Sequence, residues 1–155
     1  MANILYGLTP DSNLELPCAL SPVLSLKATV SSINTIGKDQ GVSYGLTFKA
    51  EKDLTTATVT IGYADGYPRF LSNCGEVLIG GNRCKILGRV CMDQLVVDIT
   101  NIDDVKIGDE VVLIGKSGSE VITADEIAAL GKTINYEIVC GISRRVPRYY
   151  LKGGK

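Results

Sequence analysis

The chain has no histidine and no tryptophan, only two methionines and two phenylalanines, and no Cys-x-x-Cys pair among its five cysteines. A structural zinc site draws on closely spaced cysteines and histidines, so this residue set argues against a bound metal. Without histidine, any acid–base chemistry falls to tyrosine, lysine, cysteine or a carboxylate, or to a histidine lent from elsewhere. An odd set of cysteines without paired spacing reads as free thiols, mostly buried.

Long apolar runs are also missing. Stretches such as Val111–Ile114 fall far short of the ~18 residues that a membrane span needs. The amino terminus carries no basic segment followed by an apolar one, so no secretory leader is recognised. A net charge of −1 and a pI near 5.5 leave no surplus of positive charge for a dedicated nucleic-acid or membrane-surface binder. These absences predict a soluble, cytoplasmic chain with no nucleic-acid and no membrane partner. The basic tail from Arg144, with Tyr149 and Tyr150, has the composition to grip phosphates and stack on bases. Pro147 instead favours a solvated edge strand there.

What is present is a series of short strands. A length of 155 residues suits one domain with its own core. Leu24, Leu26, Ala28 and Val30 alternate with Ser25, Lys27, Thr29 and Ser31, and Ala57, Val59 and Ile61 alternate with Thr56, Thr58 and Thr60. This is the period-2 pattern of half-buried strands. Gly80-Gly81-Asn82 between Val77–Ile79 and Arg83–Leu87 marks a tight hairpin. Ile107-Gly108-Asp109 is a turn ahead of a strand at Glu110–Ile114, and residues 90–99 form another strand. Gly45, inside the short segment Val42–Phe48, suggests a bulge or the close approach of another backbone. Strands at this spacing with glycine turns predict a mainly β fold, a Greek-key-like β-barrel.

One short helix is predicted at roughly residues 123–131, where Thr123-Ala-Asp-Glu126 fits a capping box and Gly131 ends the run. Residues 1–22, with Pro10, Pro17 and Pro22 in an irregular connection, do not look like the start of a compact domain.

Chemistry concentrates in two pieces that follow strands: Gly62-Tyr-Ala-Asp-Gly-Tyr-Pro-Arg-Phe70 and Gly88-Arg-Val-Cys-Met-Asp-Gln94. Their glycines allow positive φ or close approach, and Pro68 removes a ladder donor, so Tyr63, Asp65, Tyr67 and Arg69 are displayed on a tight rim. The plainer alternative is a polar hairpin connection. No nucleophile elbow, phosphate loop or metal cluster accompanies them. A tyrosine serves as a base only when nearby positive charge lowers its pKa from about 10, and nothing local in sequence does that for Tyr44.

Six motifs in order, Tyr6-Gly-Leu-Thr-Pro, Val42-Ser-Tyr-Gly, Gly62-Tyr-Ala-Asp-Gly-Tyr-Pro-Arg, Gly88-Arg-Val-Cys-Met-Asp-Gln, Ile134-Asn-Tyr-Glu and Arg145-Val-Pro-Arg, closely resemble the carboxyl-terminal domain of bacterial alanine racemase. The resemblance implies a division into residues 1–22, the residual end of a pyridoxal-phosphate-binding (β/α)8 barrel with its linker, and residues 23–155, the carboxyl-terminal β domain. It implies racemisation of L- and D-alanine for peptidoglycan by two-base proton exchange. The covalent cofactor lysine and the relay histidine would lie in the barrel, which agrees with the absence of histidine here.

By the same resemblance Tyr44 is the second base, serving the partner subunit's active site across a head-to-tail homodimer. Met92, through its backbone N–H, and Tyr136 are substrate-binding. Tyr63, Asp93, Arg69, Arg89 and Ile134 line the substrate entry. The plainer readings are an edge tyrosine for Tyr44, a packing side chain for Met92, a core-facing aromatic for Tyr136 and surface ion pairs for Arg69 and Arg89. Such a piece alone is expected to be inactive. The alternatives are a racemase domain of a membrane-anchored serine racemase and a non-catalytic β-barrel dimerisation module.

Overall fold

A computed structural model describes residues 2–9 and 18–151. Nine strands and two α-helices follow in chain order. The strands are β1 (Leu26–Ile36), β2 (Gly41–Val42), β3 (Phe48–Lys49), β4 (Leu54–Val59), β5 (Glu76–Ile79), β6 (Asn82–Lys85), β7 (Leu95–Asp98), β8 (Glu110–Ser117) and β9 (Glu120–Ile122). The helices are α1 (Ala124–Leu130) and α2 (Asn135–Gly141). The fold is mainly β, as the alternation and turn signals indicate.

One antiparallel sheet runs β6-β5-β8-β1-β4-β7, with β9 paired to β8. Its ends are brought together beyond β6, where Ile86 bridges to Val97 and the Leu87 N–H donates to the Val96 carbonyl at 2.8 Å. A single bridge, rather than a full ladder, joins the two edges. β1 makes this curvature workable. Its first half pairs with β8 (Lys27 opposite Val112) and its second with β4 (Ile33 opposite Ala57), and the register slips between Val30 and Ser32. An extra residue bends a strand and increases its twist, so one strand serves both halves of the coiled sheet.

Residues of β4, β5, β7 and β8, among them Ala57, Val59, Val77, Leu95, Val97 and Leu113, are wholly buried. β8 is covered on both faces over Val111–Ile114, which fits its unbroken apolar run. Strict alternation fails at one position: Thr56, assigned to the polar face of β4, is buried and its hydroxyl donates to the Asn34 carbonyl at 3.1 Å. A second small cluster, Val42, Ala50, Leu54 and Leu87, sits beneath residues 37–53.

The predicted helix is α1, and its capping box is half made. The Glu126 N–H donates to Thr123 Oγ1 at 3.0 Å, but the Glu126 carboxylate turns away to Arg83 at 2.6 Å. Arg83 also reaches Glu120 (2.8 Å), Glu76 (3.1 Å) and the Val121 carbonyl (2.7 Å). It thereby ties the β5–β6 hairpin to β9 and α1.

Several expectations are corrected: Tyr67, expected on the rim, is buried in the core, and Cys18, Cys74 and Cys140 are exposed where mostly buried thiols were expected. The fold has a second helix, α2, which the sequence conceals: its N-cap, Ile134, has no capping side chain, and Ile138 and Val139 are β-branched, a type that favours strands. After α2 there is no edge strand through Leu151. Instead the Arg148 guanidinium donates to the carbonyls of Ile142 (2.8 Å), Val146 (2.7 Å) and Ser143, supplying partners to backbone acceptors of the irregular segment after α2.

Residues 1–22 are described in part. A 3-10 turn spans Ala2–Tyr6, Leu8 is buried in the main core, and the Thr9 carbonyl accepts from Asn135 Nδ2 at 2.9 Å. Pro10 and Pro17 lie outside the described residues.

Candidate active-site rim

Three connections meet at one end of the sheet: residues 42–48, residues 62–71 and residues 88–94. Glycines make the meeting possible. Gly62 is in extended backbone, so its role is close approach: a Cβ there would lie 2.2 Å from the Cys91 carbonyl oxygen and 2.3 Å from that of Met92. The turn that follows docks on the same two carbonyls, with the Tyr63 N–H donating to Cys91 at 2.9 Å and the Ala64 N–H to Met92 at 3.0 Å. Gly88 combines φ +75° with a Cβ position only 2.6 Å from the Val42 carbonyl oxygen. No other residue type fits both demands.

Ser43 completes the joint. Its hydroxyl donates to the Arg89 carbonyl at 2.8 Å and contacts Cys91 Sγ at 3.2 Å. The Val42–Phe48 stretch is consequently not a bulged strand. β2 and β3 are two residues each, joined by a 3-10 turn, Tyr44–Leu46, with Gly45 at φ +73°.

These segments enclose an open cleft of about 430 Å³ lined by Tyr44, Tyr63, Arg69, Arg89, Met92 and Asp93, with Val90, Cys91 and Gln94. Six of the eight residues singled out in the sequence share it. Ile134 and Tyr136 do not line it; Ile134 is the exposed N-cap of α2 and Tyr136 is partly buried in its first turn.

Tyr44 is 75% exposed, and its hydroxyl has no hydrogen-bond partner among the described residues. The same holds for the guanidiniums of Arg69 and Arg89, so the ion pairs considered for them are not formed there, and for the Met92 N–H. The Met92 carbonyl, by contrast, is held by Ala64.

Asp93 is different, because Arg145 Nη2 donates to it at 2.7 Å while Arg145 Nε lies 3.5 Å from Asp65. The hydrogen bond to Asp93 and the charge of Asp65 raise the Arg145 pKa above its ordinary value. With Asp93 neutralised in this way, the cleft presents cations and an open N–H, a set suited to a small carboxylate.

Sequence reasoning missed Arg145 and Ser43 as parts of this site. Both stand inside the motifs, but neither residue type announces a partner so distant in the chain.

No lysine lines the cleft, and among the described residues no cluster of His, Cys, Asp and Glu could hold a metal ion. Cys91 borders it. Cys84 is sequestered in the core, where burial above all, aided by the charges of Asp98 and Glu76, pushes its thiol up to about 12.

Fold and site define a class: a β domain that offers, among the described residues, a tyrosine, an open backbone N–H and two guanidiniums without ion-pair partners on a rim that no lysine lines. The sequence profile of the family described as alanine racemase, C-terminal domain, matches residues 23–150, and this chain belongs to that family.

The alanine racemase of Halothermothrix orenii is 51% identical over 147 residues, 95% of this chain and 39% of that protein. Alanine racemase 1 of Clostridium acetobutylicum is 45% identical over 98% of this chain and 40% of its own length. Among solved structures, alanine racemase from Bacillus anthracis with bound L-Ala-P superposes with a TM-score of 0.92 at 44% identity, covering 98% of this chain and 39% of that one. The Clostridium difficile alanine racemase in complex with cycloserine gives 0.90 at 42% identity, covering 97% and 40%. The chain thus spans about two fifths of the length of these relatives.

Proposed function

We propose that this chain acts as the carboxyl-terminal part of a cytoplasmic alanine racemase, with Tyr44 as one of two bases that exchange the substrate Cα proton. The observation that supports the reading is the cleft itself, which Tyr44, Met92, Arg69 and Arg89 line together, with no partner among the described residues for the Tyr44 hydroxyl, the Met92 N–H or the two guanidiniums. A base, a carboxylate-binding donor and a cationic approach are the parts an amino-acid racemase asks of this side of its site.

The cofactor, pyridoxal phosphate, supplies when bound the electron sink that makes the Cα–H acidic. The residues present fit a place beside it. No lysine among the described residues lines the cleft; we assign the covalent lysine to an amino-terminal barrel and Tyr136 to a place next to the cofactor phosphate.

Within the reaction, the Met92 N–H binds the substrate carboxylate and Tyr44 gives or takes the proton on one face of Cα. We assign Tyr63, Asp93, Arg69 and Arg89, which line the cleft, and Ile134, which lies outside it, to the entry that admits a small zwitterion. Completion of the site around Tyr44 then falls to groups outside this chain. We assign that to a second subunit in a head-to-tail homodimer. The product, D-alanine, is a peptidoglycan precursor. Among the described residues no helix is long and apolar enough to cross a membrane.

The test is Tyr44→Phe in a full-length enzyme carrying this chain. Loss of solvent-proton exchange from one face of Cα, with exchange from the other face retained, is the expected result. Equal loss in both directions counts against a one-sided base. The 155 residues alone are expected to show no racemase activity and no stable cofactor absorbance.

A further inference from the structure

The residue before Tyr44 has a backbone that serine rarely adopts. Ser43 sits at φ 64°, ψ 179°, a region populated almost only by glycine, and such conformations persist where surrounding contacts over-determine them. Those contacts are visible. The Ser43 hydroxyl donates to the Arg89 carbonyl at 2.8 Å and meets Cys91 Sγ at 3.2 Å. The Ser43 carbonyl accepts from the Leu46 N–H at 3.2 Å. From the other side Gly88 presses close: a Cβ on it would lie 2.8 Å from that of Ser43. Leu46, two residues past Tyr44, is also held at positive φ, 46°.

We propose that Ser43 is a positioning residue, whose strained backbone and side-chain bonds to the 89–91 segment set the direction of the Tyr44 hydroxyl relative to the Met92 N–H. The inference rests on the reading of Tyr44 as a base. Its physical content is that Tyr44 is too exposed to be aimed by packing of its own ring. The turn that carries it must do the aiming. Because Ser43 is bonded to Arg89 and Cys91, and the Cys91 and Met92 carbonyls are bonded in turn to Tyr63 and Ala64, the segments that carry the Tyr44 hydroxyl and the Met92 N–H are joined by one set of hydrogen bonds. A relaxed Ser43 would let the turn swing while leaving the Met92 N–H in place.

The experiment compares Ser43→Gly, Ser43→Ala and Tyr44→Phe in a full-length enzyme carrying this chain. Glycine accepts the Ser43 backbone angles, so the fold is not at risk, but both variants remove the hydroxyl bonds. Expected are kcat losses on the order of 10- to 100-fold for Ser43→Gly, since small misplacements of a reacting group have effects of this size, with KM within about twofold of the parent. The loss falls on the same face of Cα as in Tyr44→Phe. Ser43→Gly also melts above Ser43→Ala, because alanine keeps the strain and loses the bonds. Parental kcat in Ser43→Gly together with a one-sided loss in Tyr44→Phe overturns the positioning role and leaves the base assignment standing. Parental rates in Tyr44→Phe overturn both. A Ser43→Ala variant more stable than Ser43→Gly also overturns the proposal, because it shows that the Ser43 backbone carries no strain.

Discussion

Arg145 and Asp93, 52 residues apart in the chain, are joined by a 2.7 Å hydrogen bond at the edge of the cleft. The same guanidinium leans on Asp65, whose carboxylate caps the Gly62 N–H at 3.0 Å. Arg145 thereby pairs with the one carboxylate that lines the cleft alongside Arg69 and Arg89.

Replacing Arg145 with methionine should therefore weaken substrate capture more than turnover. Asp93 regains an uncompensated charge in the mouth, and KM for alanine in a full-length enzyme is expected to rise several-fold while kcat holds. The rise should shrink at high salt, which screens exposed charges. A salt-independent change would show that Arg145 acts through the shape of the tail.

Gly62→Ala should be severe although the substitution is small. The added methyl meets the Cys91 and Met92 carbonyl oxygens, so the turn must lift away from the segment that presents the Met92 N–H. A destabilisation of about 1–3 kcal/mol is expected from such overpacking, read by chemical denaturation of the chain. Loss of racemase activity should accompany it.

Arg83→Met should loosen the hairpin from α1. Three glutamates then face one another without a cation, and we expect a destabilisation on the order of 1–2 kcal/mol, more than an isolated exposed pair provides. Added salt screens the repulsion among the glutamates, so the gap between variant and parent melting temperatures should narrow in 1 M NaCl.

Alkaline stability follows from Cys84. Its folded pKa is raised to about 12 from the ordinary 9.0, so the folded state resists losing the proton. The stabilisation is complete below pH 9 and is lost as pH climbs toward 12. Tyr67 acts in the same direction: burial raises its pKa above the ordinary value, and its hydroxyl has no partner among the described residues. Urea midpoints measured from pH 8 to pH 11 should fall, and less steeply in Cys84→Ala. At pH 8, Tyr67→Phe should be neutral or stabilising by about 1 kcal/mol, because an unsatisfied buried hydroxyl is removed.

The local features were legible because each depends on neighbours in the chain. Alternation at Leu26–Val30 and Ala57–Ile61 marked strands, Gly80-Gly81 marked the hairpin, Thr123 marked α1, and the six motifs pointed to the family. Features set by distant partners were not legible. Nothing near Glu126 says that its carboxylate will leave the capping box for Arg83. Nothing near Thr56 says that Asn34 will let it be buried. The weak helix signal of residues 135–141 yielded to packing against α1 and to the Asn135–Asp125 bond of 2.6 Å.

The sequence by itself determined the strands β1, β4, β5, β6 and β8, the hairpin turn at Gly80-Gly81 and the set of polar residues from which a site could be made, while of the strand expected over residues 90–99 only Leu95–Asp98 forms. Only the tertiary structure decided that Tyr44, Met92 and two unpaired arginines share one cleft, that Asp93 is spoken for by Arg145, and that Tyr136 stands apart from that cleft. The reason is geometric. A strand's period can be read over a few residues, but the meeting of residues 43, 62, 88 and 145 depends on how a bent sheet brings the ends of different strands to one rim.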